Sequence, residues 1–192
     1  MSISSHNNNQ TLDNGAIPVR TVFGAVPTSP TYTATRADVT PAATPTDIIL
    51  LMGSATKTIM VTKFEITPTA TANGTLDFYI YKRTTANTGG TFATDGIAKN
   101  DSLNADSTAT IKLYSANPSS LGTGQLIRGT RMSLASKTPN GIPVQEWVEE
   151  FGNSNQQPMV LRGVGESLCI NMNGQTMPSG AEFYFTFEWV EL

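Results

Sequence analysis

The sequence predicts an all-β protein: an antiparallel β-sandwich, most simply a jelly roll, preceded by an extended N-terminal arm. Short segments of alternating apolar and polar residues recur from Asp47 to the last residues, and Gly, Asn and Pro turns separate them. No helical segments alternate with these strands, which favours a sandwich or barrel, and about eight strands favour a jelly roll. We therefore expect an arm at 1–46 and a sandwich domain at 47–192.

The arm is predicted from composition. Residues 1–15 are small and polar, and residues 16–46 are rich in Pro, Thr and Ala, with five prolines. Proline removes backbone donors and limits strand pairing, so this segment should be extended and have no core of its own. Its scattered apolar side chains then need a surface, and two interpretations stay open: a free tail, or an arm that orders on a neighbouring subunit. The predicted contact residues are Ile17, Val19, Phe23, Val26 and Tyr32.

The sandwich is predicted from strand-like runs between turn signals. The last run, AEFYFTFEWVEL, shows the clearest alternation, with Phe183, Phe185, Phe187 and Trp189 on one side, which predicts a strand with one face in a core. Turn signals include Asn73-Gly74 and Asn173-Gly174. The predicted strands lie near 47–53, 56–67, 74–84, 107–115, 125–134, 157–162, 166–173 and 181–191.

Two segments are less regular. In IPVQEWVEEF (142–151), the apolar residues fit helical spacing, but Trp147, Glu149 and Phe151 also alternate as on a strand. We favour a strand after the Asn140-Gly141 turn, with a short helix as the alternative. Residues 85–106 have a polar centre and are predicted to form a long surface loop, the kind of segment that carries variable contacts.

Residues equipped for nucleophilic catalysis are scarce. A nucleophile needs a base beside it, and the one imidazole, His6, lies in the polar N-terminal segment. The one thiol, Cys169, lies in the apolar run ESLCINMN, where a small buried or half-buried side chain is the expected role. No GxSxG elbow is present, and RGVGES (162–167) lacks the lysine of a phosphate-binding loop.

Acidic residues offer weak candidates for other sites. A glycosidase needs a pair of carboxylates, and Glu149 with Glu150 is a candidate pair. Neighbouring glutamates are, however, more typical of a solvated face. Asp95, Asp101 and Asp106 supply hard oxygen atoms, yet their spacing does not match an EF-hand loop, so calcium binding there stays open. We expect no enzyme activity and no cofactor, and we name no residue as a metal ligand.

Charge and composition narrow the expected partners. Charged residues make up 14% of the chain, against about 25% in average globular proteins, and the net charge is −3. A broad basic surface for nucleic acid is therefore not expected. No run approaches a membrane span, and MSISSHNNNQTLDNG has neither the basic start nor the apolar core of a secretory signal. A single cysteine fits a cytosolic origin.

Three stretches carry a resemblance. The first runs SATKTIMVTKFEITPTATANGTLDFYIYKRTTANTGGTFAT, the second TIKLYSANPSSLGTG, and the third VLRGVGESLCINMNGQTMPSGAEFYFTFEW. In this succession of turns and strands, residues 47–191 resemble a family of small virion structural proteins encoded by tailed phages. The N-terminal arm lies outside the resemblance, which carries over no catalytic residues.

The resemblance implies a structural role in a phage particle. We expect a capsid decoration, or cement, protein on the outer shell, assembled in the host cytoplasm and bound to the major capsid protein through the arm. The family suggests a homotrimer, and uncovered sheet edges favour closed symmetry. The alternative is a tail, neck or fibre component or a receptor-binding head, with the loops at 85–106 and 117–124 facing a host glycan.

Overall fold

The computed structural model describes residues 29–94, 96–136, 145–152 and 157–192. Twelve strands are present in this part of the chain: β1 (Thr31–Val39), β2 (Asp47–Met52), β3 (Thr58–Thr69), β4 (Gly74–Arg83), β5 (Thr91–Ala93), β6 (Ala98–Lys99), β7 (Thr110–Ala116), β8 (Gly124–Leu134), β9 (Trp147–Glu150), β10 (Met159–Arg162), β11 (Ser167–Asn171) and β12 (Glu182–Glu191).

The strands form two antiparallel sheets that pack face to face. Sheet A has the order β10-β3-β12-β1-β6, with β9 also pairing with β3, and sheet B has the order β5-β7-β2-β11-β4-β8. Strands β9 and β10 occupy one position, because they pair with successive halves of β3. Without β5, β6 and β7, the chain alternates between two four-stranded sheets in the jelly-roll order. The predicted β-sandwich is confirmed.

The core lies between the sheets and follows the alternation of the strands. Phe183, Phe185, Phe187 and Trp189 all point inward from β12 and are fully buried. They meet inward side chains of β3 and β4, including Phe64 and Phe78. Aromatic rings of this size contribute more to core burial than any other side chains, so β12 anchors the domain from the centre of sheet A.

Seven of the eight predicted strands match an observed one closely, and the 157–162 segment forms the short β10. The ambiguous segment contains β9, so the favoured strand is confirmed for Trp147–Glu150. The Asn140-Gly141 turn lies outside the described residues. The predicted loop 85–106 carries the short strands β5 and β6, which pair with β7 and β1. β5 and β6 lie at the same edge of the sandwich, β5 beside β7 in sheet B and β6 beside β1 in sheet A.

The structure assigns residues 31–46 to the sandwich, which corrects the predicted boundary after residue 46. In β1 the sequence TYTAT alternates, with Tyr32 and Ala34 buried and threonines facing outward. The prolines did not prevent pairing because Pro30 precedes β1 and Pro41 and Pro45 follow it. β1 therefore pairs with β12 over most of its length.

The sandwich has two distinct ends. We call the end where residue 29 joins the body the proximal end; it includes the connections 53–57, 100–109 and 163–166, and the amide of Gly53 donates to the carbonyl of Glu166 there. The opposite, distal end includes 40–46, 70–73 and 172–181, where the amide of Thr71 donates to the carbonyl of Ser179.

Candidate functional site

Four of the five predicted contact residues, Ile17, Val19, Phe23 and Val26, lie outside the described residues. Tyr32 is only 2% exposed, its ring stacks on Trp189 at 5.9 Å, and its hydroxyl donates to the carbonyl of Ala105 at 2.9 Å. Tyr32 is thus a core residue, because it occupies an inward position of β1, and its prediction as a partner contact is corrected.

A two-stranded crossing covers the outer face of sheet B. We call residues 84–90 and 117–123 the strap: the first segment follows β4, the second precedes β8, and they run side by side. Thr88 exchanges backbone hydrogen bonds with Ser119 and Ser120, and Thr84 bonds to Thr123. Beneath the strap lie the buried side chains Leu50, Met52, Tyr114 and Cys169. This cover explains why every residue of β2 is buried, although a strand normally buries one face.

Asp47 fixes the strap to the sheet. Its carboxylate accepts hydrogen bonds from Arg83 Nε at 3.1 Å and Nη2 at 2.8 Å, from Asn87 Nδ2 at 2.8 Å and from Asn171 Nδ2 at 2.6 Å. The Arg83 guanidinium also donates to the carbonyl of Gly122. Burial lowers the pKa of Arg83, but its bonds to Asp47 outweigh this effect and the pKa is raised. The Arg83 guanidinium therefore stays charged inside the protein.

Gly122 permits the two strap segments to approach each other. A Cβ at this position would lie 1.9 Å from the carbonyl oxygen of Thr85, which is backbone and cannot move away independently. The Gly122 amide also donates to Asn87 Oδ1 at 2.8 Å. Only glycine fits this crossing, so the strap depends on both a side-chain network and a close backbone contact.

A second buried carboxylate anchors the proximal end. Glu191 is almost fully buried and accepts hydrogen bonds from the hydroxyls of Ser107 and Thr108, from the amides of Thr108 and Ala109, and from Trp189 Nε1. Burial raises the pKa of Glu191, but these donors outweigh it and the pKa is lowered. Glu191 thereby attaches the 107–109 segment to β12.

Cys169 is enclosed under the strap. Its thiol is 0% exposed, and burial raises its pKa well above the usual value. A reactive cysteine is exposed and has a lowered pKa, so Cys169 has the opposite properties. The expectation of a small buried thiol is confirmed.

The acidic candidates do not converge on one site. Asp101 accepts the amide of Leu103, and Asp106 pairs with Lys99. Asp95 lies outside the described residues. Among those residues no group of three His, Cys, Asp or Glu side chains is arranged to hold a metal ion, and no helix in that part is long and apolar enough to cross a membrane.

Glu149 and Glu150 face different surroundings on β9. Glu149 accepts Trp147 Nε1 at 2.8 Å and lies 3.6 Å from Arg128. Glu150 lines an open groove of about 350 Å³ together with Lys63 and Glu188. The pair predicted as the weak glycosidase candidate therefore does not face one cleft.

The proximal end carries the most prominent apolar side chains. Leu103, in the 100–109 connection, is 91% exposed, and Val164, between β10 and β11, is 62% exposed. No other large hydrophobic side chain in the described part of the chain is as exposed as these two. Single exposed apolar residues are ordinary, but Leu103 lies in the connection next to the start of β1, where residue 29 joins the body, and Val164 lies at the same end of the sandwich, at the opposite edge of sheet A.

Comparison with protein-family models, curated proteins and solved structures finds no match for the chain. The resemblance to phage virion proteins stays a prediction from the sequence.

Proposed function

We propose that this chain is a non-enzymatic structural protein of a tailed-phage virion, a decoration or cement protein that binds the outer shell and stabilises the major capsid lattice. In this proposal the jelly roll is the body on the shell, and the residues before 29 form the arm that spans capsid subunits. The partners are the major capsid protein and further copies of this chain, as a homotrimer.

One observation supports the proposal: the described residues form a hydrophobic core whose members run from Tyr32 to Trp189 along the chain. In this proposal the apolar side chains Ile17, Val19, Phe23 and Val26 bind the partner instead of adding to that core. An extended apolar segment attached to a stable body suits binding to a lattice, where several weak attachments act together. The cost of ordering it is offset when the partner surface is assembled.

The fold supports a role as a spacer or clamp. Two buried carboxylates, Asp47 and Glu191, fix the 84–123 insertion against both sheets, so the body presents its loops on a rigid frame. The outward threonines of β1, Thr31, Thr33 and Thr35, form an uncharged polar strip on sheet A, beside the charged side chains Lys63, Glu65 and Glu188 of β3 and β12. The threonine strip suits protein contacts better than ionic ones.

Two measurements test the proposal: the number of copies of this chain per virion, and the dependence of shell binding on the arm. Quantitative mass spectrometry of purified virions should give hundreds of copies per particle relative to the major capsid protein. About a dozen copies would contradict the decoration role and support the tail, neck or fibre alternative.

Arm dependence is measured by cosedimentation with shells purified from phage in which the gene for this chain is deleted. The variant with Ile17, Val19, Phe23 and Val26 replaced by Ser should lose binding while its body stays folded. Val148→Ser, on the exposed face of β9, is the matched control. Full occupancy by the arm variant would overturn the proposed role of the arm.

A further inference from the structure

We propose that the body docks end-on, with its proximal end against the same protein lattice that the arm binds and its distal end facing solvent. Leu103 and Val164 are the body's own contacts in this arrangement. The inference rests on the proposed function and adds to it an orientation and a second contact surface.

The position of the arm supports this orientation. The carbonyl of Pro30 accepts the amide of Glu191 at 3.1 Å, and the carbonyl of Thr31 accepts the amide of Asn100 at 3.0 Å. The residues before 29 are therefore tethered directly beside the 100–109 connection. A partner surface held by the arm has its highest effective concentration near the tether point, which is the proximal end.

Both apolar contacts are held by ordered turns. Asp101 accepts the amide of Leu103 through its side chain at 2.9 Å and the amide of Asn104 through its backbone at 3.1 Å, which fixes Leu103 at the tip. Beside Val164, Glu166 accepts the amide of Arg162 at 2.7 Å. Because these turns are already formed, docking loses little conformational entropy, and the apolar area removed from water contributes to binding.

The described connections of the two ends differ in the direction that the proposal requires. The distal connections 40–46, 70–73 and 172–181 contain no Asp, Glu, Lys or Arg, and none of the exposed large hydrophobic residues of the described chain lies in them. The segment 137–144, which follows Ser136 at this end, lies outside the described residues. The proximal end carries Leu103 after β6 and Val164 after β10, at opposite edges of sheet A, together with the exposed charged residues Lys57 and Arg162. Protein interfaces combine apolar and polar contacts of this kind.

The experiment measures which end becomes protected on the shell. Cys169 is fully buried, so a single introduced cysteine is the site that a maleimide labels rapidly. We compare Leu103→Cys and Val164→Cys at the proximal end with Thr176→Cys, an exposed distal position, in the full chain. Each is labelled free in solution and bound to shells from the gene-deletion phage. Urea denaturation of each variant checks that the body is folded.

Labelling of the two proximal cysteines should slow by at least about tenfold on the shell, as expected for residues that an interface shields from solvent, whereas labelling of Thr176→Cys should not change. A bulky polyethylene glycol maleimide attached at Val164→Cys before mixing should prevent binding, and the same adduct at Thr176→Cys should not. Equal labelling rates at both ends, or protection of the distal cysteine alone, would overturn the orientation while binding itself still supports the proposed function. Failure of the unmodified chain to bind shells would instead overturn the proposed function.

Discussion

Asp47 and Arg83 form a buried bidentate ion pair beneath the strap, although 36 positions separate them in the chain. Asp47 begins β2 and Arg83 ends β4, and two asparagine side chains complete the set of donors to the carboxylate. The pair connects sheet B to the strap at the start of the 84–123 segment. A change in this pair therefore affects the whole strap.

Asp47→Asn should destabilise the body strongly. The substitution leaves the Arg83 guanidinium buried without its counter-charge, and breaking a buried pair typically costs about 3–5 kcal/mol of unfolding free energy. Urea denaturation followed by tryptophan fluorescence measures the change. Asp77→Asn is the matched control, since its partner Arg131 is largely exposed and only a small shift is expected. Similar shifts for both variants would contradict the role of burial.

Asn87→Ala should loosen the strap more than the rest of the body. The change removes a donor to Asp47 and leaves the buried amide of Gly122 without its acceptor, which costs about 1–3 kcal/mol. Because the strap covers Cys169, labelling of this thiol by a maleimide in native buffer should become faster than in the parent chain. Ser119→Ala, which removes an exposed strap hydrogen bond, is the control. Unchanged labelling by Asn87→Ala would show that the strap does not shield Cys169.

Glu191 should make the unfolding free energy of the body depend on pH in the acid range. Its pKa is lowered in the folded state, so the unfolded carboxyl, with a pKa of about 4.3, binds protons first as pH falls. The stabilisation is present above the unfolded pKa and is lost as pH falls through the folded pKa. Glu191→Gln should lower the urea midpoint near neutral pH and flatten its decline below pH 4.3. An equally steep decline in both chains would assign the acid sensitivity to other carboxyls.

Substitutions at Phe185 test how much β12, the central strand of sheet A, contributes to the stability of the body. The Phe185 side chain is fully buried between the sheets and contacts Phe64 and Phe183. Phe185→Ala should cost about 3–5 kcal/mol of unfolding free energy through lost burial and a cavity, and Phe185→Asp should prevent folding because it buries an unpaired charge. Circular dichroism and gel filtration of the purified variants check both. A soluble, folded Phe185→Asp protein would contradict the assignment, and Tyr184→Thr, on the outward face, should fold normally.

The sequence was sufficient for the strands because alternation and turn residues act locally. The inward aromatics of β12 and the Asn173-Gly174 turn are examples, and Asn173 and Gly174 both adopt positive φ angles. Tyr32 was misassigned because five prolines suggested an unpaired segment, whereas the prolines near β1 lie outside its ends. The alternation of TYTAT was the signal in the sequence that indicated a buried position for Tyr32.

The buried polar sites could not be predicted in this way. Asp47, Arg83, Asn87 and Asn171 come from four separate segments, and only the crossing of the strap brings them together. Nothing in the spacing of Glu191 and Ser107 indicates a bond between residues 84 positions apart. One local hint was present: DIILLM is apolar without alternation, which is typical of a strand covered on both faces.

The pairing of β1 with β12 has a consequence for biosynthesis. Thr31 lies opposite Val190, and β12 separates β1 from β3 in sheet A. During translation β1 can therefore pair only with the two-residue β6, among the described strands, until residues 182–191 have left the ribosome, and sheet A cannot close before then. The body folds after nearly all of it has been synthesised, so nascent chains expose their apolar strands to chaperones for most of elongation.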